Sequence, residues 1–347
     1  MQHLKRQKGN LQNISICKTP TRCCFNSGYG ALSNKYFRWY DHNLAEAITS
    51  SGQLAIRWIA DRMNVFMNNV LGTNNEDYVI ASDTDSIYVN MCGINTNVDE
   101  LDAFINKNVQ PFIDESYQKL ADMMNAYEQK NIMKREKICR VGIWKACKNY
   151  VLYVCDSEGV RYKEPEVEIT GIEAVRSSTP LVSRKYIEEA LKIILTRDND
   201  ALIEYISEKR REFKTKSFDQ VAFPRSVKFR YGATKLRGAG TYNLESSGLP
   251  IQVRAALLYN RLIAEMDLTQ HRPITDSDKI KFTYLKVPNP IGDNVIAAPA
   301  MLPKEFGLDA YVDHDLQFEK TFVEPIRSIL EVLGWQVERV STLESFF

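Results

Sequence analysis

The sequence lacks the features that mark membrane, secreted and zinc-binding proteins. No uninterrupted apolar run approaches the roughly 18 residues that span a bilayer, and the charged first residues are followed by no apolar segment, so we expect a cytoplasmic protein that binds no membrane. Seven scattered cysteines include no C-x-x-C pair, and there are four histidines. This pattern argues against a zinc site and against a disulfide framework.

Acidic residues are absent from positions 1–40, which hold seven Lys or Arg, whereas the whole chain has a net charge of +1. A basic stretch of this kind attracts the phosphates of a nucleotide or a nucleic acid, although a solvated tail has the same composition. The length of 347 residues predicts two or three domains.

Apolar spacing predicts mixed helices and antiparallel hairpins, the α+β class. The predicted elements before residue 171 are a long helix over 41–72 ending at Gly72, strands over 78–81 and 86–89, a helix over 99–128 and a hairpin over 149–163. Helices are predicted beyond it over 180–196, 200–214, 250–266 and 318–333. The change of pattern predicts a domain boundary near Gly171.

Two carboxylates occupy the turn of the first predicted hairpin. Asp83 and Asp85 stand at positions i and i+2 between two apolar strands, and carboxylate oxygens are the ligands that Mg²⁺ prefers. A solvent-facing turn rich in Asp and Thr remains the alternative interpretation.

A second candidate is the segment Asn26-Ser-Gly-Tyr-Gly-Ala-Leu32. If it is helical, Arg22, Asn26 and Tyr29 share one face and offer a cation for phosphate, an amide and a ring for stacking. An ordinary turn rich in Asn, Ser and Gly explains the same composition equally well.

The order and spacing of three segments resemble family B DNA polymerases. N-S-G-Y-G-A-L from Asn26 resembles motif B, S-D-T-D-S from Ser82 resembles motif C, and W-K-A-C-K-N-Y from Trp144 resembles the K-K-x-Y motif. Stretches between Thr170 and Asn260 are similar to the thumb of replicative polymerases from T-even-like phages and cyanophages. The resemblance covers roughly residues 22–347.

The resemblance implies part of a right-hand polymerase with a remnant of a fingers helix, an antiparallel-sheet palm and a mostly helical thumb. The implied division is the end of the fingers with an atypical tail over 1–35, the palm over 36–170, the thumb over 171–340 and a clamp-binding tail over 341–347.

Residue roles are also implied by the resemblance. Asp83 and Asp85 become candidate catalytic residues: Asp85 would bind two Mg²⁺ ions, and Asp83 would lie farther from them or contact the primer end. The implied dNTP contacts are Arg22 at the triphosphate, Asn26 supporting it, and Tyr29 with Gly30 against the nascent base pair. The implied contacts to primer–template DNA are Thr84, Lys145, Lys148, Tyr150 and Arg254.

Departures from the family pattern limit these implications. Motif A, which supplies the other metal-binding aspartate, and the acidic exonuclease motifs have no equivalent here. Cys147 stands where a lysine is usual, Ser82 replaces a glycine, and residues 1–21, with Pro20, do not follow the pattern. We therefore expect the isolated chain to be inactive and to need an N-terminal polymerase/exonuclease subunit as its partner.

Two other interpretations remain open. In the first, the chain is an inactive, truncated remnant that binds DNA and a sliding clamp. In the second, it is a different Mg²⁺-dependent nucleotidyl enzyme. The last residues carry a further hypothesis, because Leu343, Phe346 and Phe347 resemble a peptide that inserts into a sliding clamp. A disordered terminus is the alternative there.

Overall fold

A computed structural model describes residues 13–17, 22–94, 97–172, 176–231 and 240–339, with the backbone alone for 13–17, 22–27 and 231. The chain divides into two compact units between Thr170 and Gly171. Helices and small antiparallel sheets alternate in both units, which confirms the predicted α+β class. No described helix is long and apolar enough to cross a membrane.

The first unit combines helices with a six-stranded sheet. Its helices are α1 (Arg22–Ser33), α2 (His42–Leu71), α3 (Val98–Phe104) and α4 (Gln110–Met123), and its strands are β1 (Asn13–Cys17), β2 (Val79–Asp83), β3 (Ser86–Asn90), β4 (Lys134–Ala146), β5 (Asn149–Ser157) and β6 (Val160–Thr170). The strand order is β2-β3-β1-β4-β5-β6, and every neighbouring pair is antiparallel.

Helix α2 has the ends that its sequence predicts. The Asp41 side chain accepts a hydrogen bond from the Leu44 backbone N–H at 3.0 Å, and Gly72 ends the helix with a left-handed φ of 66°, a conformation that costs glycine little. Ile59 and Met63 pack in a core with strand β3 and helix α4.

Strand β1 was not predicted, because residues 1–21 match no part of the family pattern. It lies in the middle of the sheet, where Ile14 pairs with Val89 and Ile16 pairs with Ile87. Its other edge pairs with β4 and carries a register shift after Ser15. The first predicted domain therefore contains a sheet strand in addition to its helix.

A proline explains an irregularity in the predicted helix over 99–128. A π turn over Ile105–Val109 joins α3 to α4 just before Pro111. Proline has no N–H and its ring clashes with the carbonyl four residues earlier, so a widened turn accommodates it. The helix ends at Met123, earlier than predicted, because Asn125 adopts a φ of 50°.

The second unit packs helices around a three-stranded sheet. Its helices are α5 (Leu181–Thr196), α6 (Asn199–Phe213), α7 (Phe218–Val221), α8 (Ile251–Glu265), α9 (His314–Phe318) and α10 (Glu324–Leu333), and its strands are β7 (Phe223–Ser226), β8 (Arg230–Tyr231), β9 (Gly240–Thr241), β10 (Lys279–Tyr284) and β11 (Val295–Ala298). The sheet order is β11-β10-β7, and β8 pairs with β9.

Three of the predicted helices of this unit agree with α5, α6 and α8 to within one residue at each end. The last one begins earlier, at His314, and a π turn over Glu319–Val323 precedes Pro325. The buried Gln317 side chain joins this helix to strand β10 and to helix α7, because it accepts from Tyr284 N–H at 3.3 Å and donates to the Val221 carbonyl at 2.7 Å.

Candidate functional site at the tips of two hairpins

The turn between β2 and β3 has an unusual backbone. The Asp85 N–H donates to the Asp83 carbonyl at 2.6 Å, and the residue between them, Thr84, has a φ of 54°. This is a tight γ-turn, a strained conformation when its central φ is positive, and β-branched residues rarely adopt it. The two predicted catalytic residues therefore flank a strained position.

The Asp83 side chain already has two partners. Its Oδ1 accepts a hydrogen bond from the Thr84 hydroxyl at 2.9 Å and lies 3.5 Å from the Lys148 Nζ. The Asp83 side chain is 25% exposed and the Lys148 side chain 67%. Asp83 is thus a half-buried anion beside an exposed cation.

The turn between β4 and β5 lies at the same end of the sheet. Ala146 pairs with Asn149, so Cys147 and Lys148 form the turn, and Lys148 has a φ of 57°. The Lys148 contact to Asp83 joins the two hairpin tips, which are far apart in the sequence. Two of the predicted motifs therefore meet in one place.

An aromatic cluster packs behind the two tips. The Tyr88 ring lies 5.2 Å from the Trp144 ring and 5.5 Å from the Tyr150 ring, and the Tyr88 hydroxyl donates to the Tyr150 hydroxyl at 3.0 Å. Tyr88 and Trp144 are buried. Tyr150, a predicted DNA contact, therefore also links β5 to β3.

Gly142 makes room for this cluster. A Cβ atom at that position would lie 2.5 Å from Trp144 Cη2 and 3.0 Å from Leu152 Cδ2. Distances this short are steric clashes, so a side chain at position 142 would displace the indole ring. Neither Tyr88 nor Gly142 was recognised from the sequence, although a glycine inside a strand is a signal of close approach.

The remaining predicted DNA contacts differ in their surroundings. Lys145 is half-buried on β4, and Thr84 is exposed at the first tip. Arg254, in the second unit, donates from Nη2 to Asn294 Oδ1 at 2.7 Å, and its Nε lies 3.7 Å from Asp293 Oδ1. The Arg254 guanidinium is thus held within its own unit.

The predicted nucleotide-binding segment forms helix α1, so Arg22, Asn26 and Tyr29 have helical spacing. The side chains of Arg22 and Asn26 lie outside the described part of the structure. The Tyr29 ring is 39% exposed, and a Cβ atom added at Gly30 would meet no atom within 4 Å. The surface beside Gly30 is therefore open. The predicted clamp-binding residues, Leu343, Phe346 and Phe347, lie outside the described residues.

The two carboxylates fit a divalent cation as part of a site. Mg²⁺ binds through one or two carboxylates together with substrate phosphates and water, and Asp83 and Asp85 are the donors of this turn. Among the described side chains, no group of three or more His, Cys, Asp or Glu residues is placed to hold a metal ion. Further ligands would have to come from elsewhere.

Comparison with known proteins identifies relatives for almost the whole chain. It is 35% identical to the DNA-directed DNA polymerase of Enterobacteria phage T4 over 346 residues, which cover 93% of this chain and 38% of that protein. The DNA-directed DNA polymerase of Escherichia phage RB69 is 33% identical over 348 residues, 93% of this chain and 37% of the relative. The DNA polymerase alpha catalytic subunit of Trypanosoma brucei brucei is 23% identical over 214 residues, 59% of this chain and 14% of that one. No protein-family model matches.

The chain is therefore homologous to DNA-directed DNA polymerases. Its relatives at 33–35% identity are the enzymes of T-even-type phages, which confirms the resemblance to family B that the motifs indicated. The chain spans less than two fifths of the length of these phage polymerases.

Proposed function

We propose that this chain is part of a family B DNA-directed DNA polymerase that acts in phage DNA replication, in the cytoplasm of a host cell. The observation that carries the proposal is the contact between the two hairpin tips. It brings Asp83, one of the two candidate metal-binding carboxylates, together with the basic turn of the predicted DNA-binding motif, within a region homologous to phage polymerases.

In this proposal Asp83 and Asp85 hold Mg²⁺ at the first tip. Two bound Mg²⁺ ions would activate the primer 3′ hydroxyl and stabilise the leaving pyrophosphate. Lys148, with Thr84 and Lys145, would bind the phosphates of primer–template DNA, because ammonium and hydroxyl groups are common partners of DNA phosphates.

The proposed dNTP site lies at helix α1. Arg22 would bind the triphosphate and Asn26 would support it. The open surface at Gly30 and the exposed ring of Tyr29 would face the nascent base pair, since a flat ring and a missing side chain leave room for one. Tyr150 and Arg254 would contact the DNA after leaving their present hydrogen-bond partners.

We assign the domains as the sequence predicted them, with the palm over 36–170 and the thumb over 171–340. The sheet that carries both tips supports the first assignment, because five of its six strands lie within 36–170. Helices α5, α6 and α8 support the second. The tail over 341–347 would bind a sliding clamp, and its deletion should shorten products made with the clamp while sparing addition of a single nucleotide.

Two carboxylates do not complete a two-metal site, so the proposal requires a second polypeptide segment, the N-terminal polymerase/exonuclease subunit. An exposed part of α2 supports this requirement. Leu44 and Ile48 are 53% and 47% exposed, yet they continue at helical spacing the apolar stripe formed by the buried Ala55 and Ile59. An apolar stripe of a helix is normally covered.

A variant pair tests whether α2 binds the partner segment. The double substitution Leu44→Lys, Ile48→Lys should weaken binding of that segment at least tenfold, because it places charge in an apolar contact. The control is Val65→Lys, since Val65 is 52% exposed on the same helix but lies outside the stripe. Equal affinities of both variants would remove this support.

Primer extension tests the proposed activity. The mixtures contain Mg²⁺, dNTPs and this chain alone, with the N-terminal subunit, or with that subunit and the Asp85→Ala substitution. Activity in the intact pair alone is the expected result. Absence of activity in every mixture, despite folded proteins and measured pairing, would favour the alternative of an inactive DNA- and clamp-binding remnant.

A further inference from the structure

The ion pair between Lys148 and Asp83 places a protein cation on a candidate metal ligand. The Lys148 Nζ lies 3.5 Å from Asp83 Oδ1, and two thirds of the lysine side chain is exposed. Ion pairs this exposed are weak, because water and salt screen them. The ammonium group is therefore easily removed from the carboxylate.

A phosphate group of DNA would compete for the same ammonium group, because it is also an anion that accepts charge-assisted hydrogen bonds. The left-handed φ of 57° at Lys148 sets the start of its side chain at the tip of the β4–β5 turn, and its four-carbon stem is flexible. Asp83 has less freedom, since it also accepts the Thr84 hydroxyl hydrogen bond. Of the two partners, the lysine is the one that can move.

We propose that Lys148 is a positioning residue that occupies Asp83 as a temporary cation. It neutralises this carboxylate until primer–template DNA binds; the ammonium group then moves to a DNA phosphate, and Asp83 becomes available to a divalent cation. The proposal rests on the proposed function. Because binding linkage is reciprocal, DNA strengthens metal binding at the tip and the metal strengthens DNA binding.

Manganese binding to the chain without DNA provides the test. Free Mn²⁺ is measured by electron paramagnetic resonance for the wild-type chain, Lys148→Gln and Lys163→Gln. Lys163 is an exposed lysine on β6 of the same unit, near the end of β5 opposite the β4–β5 turn, so its substitution removes the same charge. Lys148→Gln should lower the Mn²⁺ Kd by about threefold to fivefold, as expected for a charge pair at this distance in a solvated site.

Three further measurements distinguish a positioning role from a general change of charge. Lys163→Gln should leave the Mn²⁺ Kd nearly unchanged, and Lys148→Arg should restore the wild-type value. In the Asp83→Asn background, Lys148→Gln should no longer tighten Mn²⁺ binding. An unchanged or higher Mn²⁺ Kd for Lys148→Gln in the wild-type background would overturn the proposal.

The DNA measurement separates this proposal from the proposed function. Mn²⁺ titrations with a primer–template should show that DNA increases Mn²⁺ affinity more for the wild-type chain than for Lys148→Gln. If Asp83→Asn and Asp85→Asn do not weaken Mn²⁺ binding in the presence of DNA, the metal site itself is refuted. If the two aspartate substitutions weaken Mn²⁺ binding but Lys148→Gln leaves the Mn²⁺ affinity unchanged, the metal site stands and only the role assigned to Lys148 is refuted. Absence of Mn²⁺ binding in every protein, also when the N-terminal subunit and primer–template are present, contradicts both.

Discussion

A methyl group added at Gly142 tests the packing of the aromatic cluster behind the hairpin tips. Its Cβ atom would lie 2.5 Å and 2.6 Å from two atoms of the Trp144 ring and 3.0 Å from Leu152 Cδ2. The indole ring is rigid and buried, so it must move as a whole, and it also contacts Tyr88. Overpacking of this kind costs typically about 1–3 kcal/mol, and we expect a loss of ~2 kcal/mol.

The assay is urea unfolding of the Gly142→Ala variant followed by tryptophan fluorescence. A matched control is Gly52→Ala, because an added Cβ atom at Gly52, inside helix α2, meets no atom within 4 Å. That substitution should stabilise the chain by roughly 0.5–1 kcal/mol, since glycine is a poor residue for a helix interior.

A second change makes the test specific to the indole ring. Trp144→Phe removes the ring atoms nearest to position 142, so it should recover part of the stability that Gly142→Ala loses. A Gly142→Ala variant as stable as the wild-type chain, or a double variant with additive losses, would refute the packing described here.

Three other predictions follow from the remaining ion pairs and the strained turn. The Arg135 guanidinium, 9% exposed, forms ion pairs with Asp156 and Asp102. Asp156→Ala removes one of these two carboxylates and should lower the free energy of unfolding in urea by about 3 kcal/mol; a loss below about 1 kcal/mol would contradict this. Hydrogen bonds from Lys216 and two other side chains lower the pKa of Glu212 to about 2. The charged Glu212 carboxylate should therefore stabilise the folded chain fully above the ordinary pKa of this group, and this contribution should be lost as the pH falls towards 2. The melting temperature of Glu212→Gln should therefore fall less than that of the wild-type chain over this range, and parallel curves would count against the prediction. Thr84→Gly should relieve the positive φ and raise the free energy of unfolding by about 1 kcal/mol, whereas a decrease would show that the turn is unstrained.

Sequence reasoning predicted the elements whose patterns are local. Helix α2 carries its own end signals in Asp41 and Gly72, and the first hairpin carries turn residues between two apolar strands. The strand β1 was missed, because its place depends on pairing with strands far along the chain. The strand β10 was missed for the same reason, because it pairs with β7, which lies far earlier in the chain.

The candidate site was predictable in part. Asp83, Asp85 and Lys148 were identified from motifs, but their proximity depends on the order of strands in the sheet, and no pattern of one sequence records that order. The aromatic support of Tyr88 and Trp144 was equally hidden, since the two residues lie on strands separated by β1. The hydrogen bonds of Tyr150 and Arg254 could be seen only in the folded chain.

Iron-directed backbone cleavage tests the central claim most directly, that the two tips form one metal- and DNA-binding site. Fe²⁺ that replaces Mg²⁺ reduces added hydrogen peroxide to a hydroxyl radical and hydroxide and is itself oxidised to Fe³⁺. The radicals cut the backbone near the bound ion. With primer–template and the N-terminal subunit present, we predict cuts around residues 83–85 and around 147–148, and loss of both in an Asp83→Asn, Asp85→Asn double variant. Cuts elsewhere, or cuts that persist in the double variant, would contradict the account.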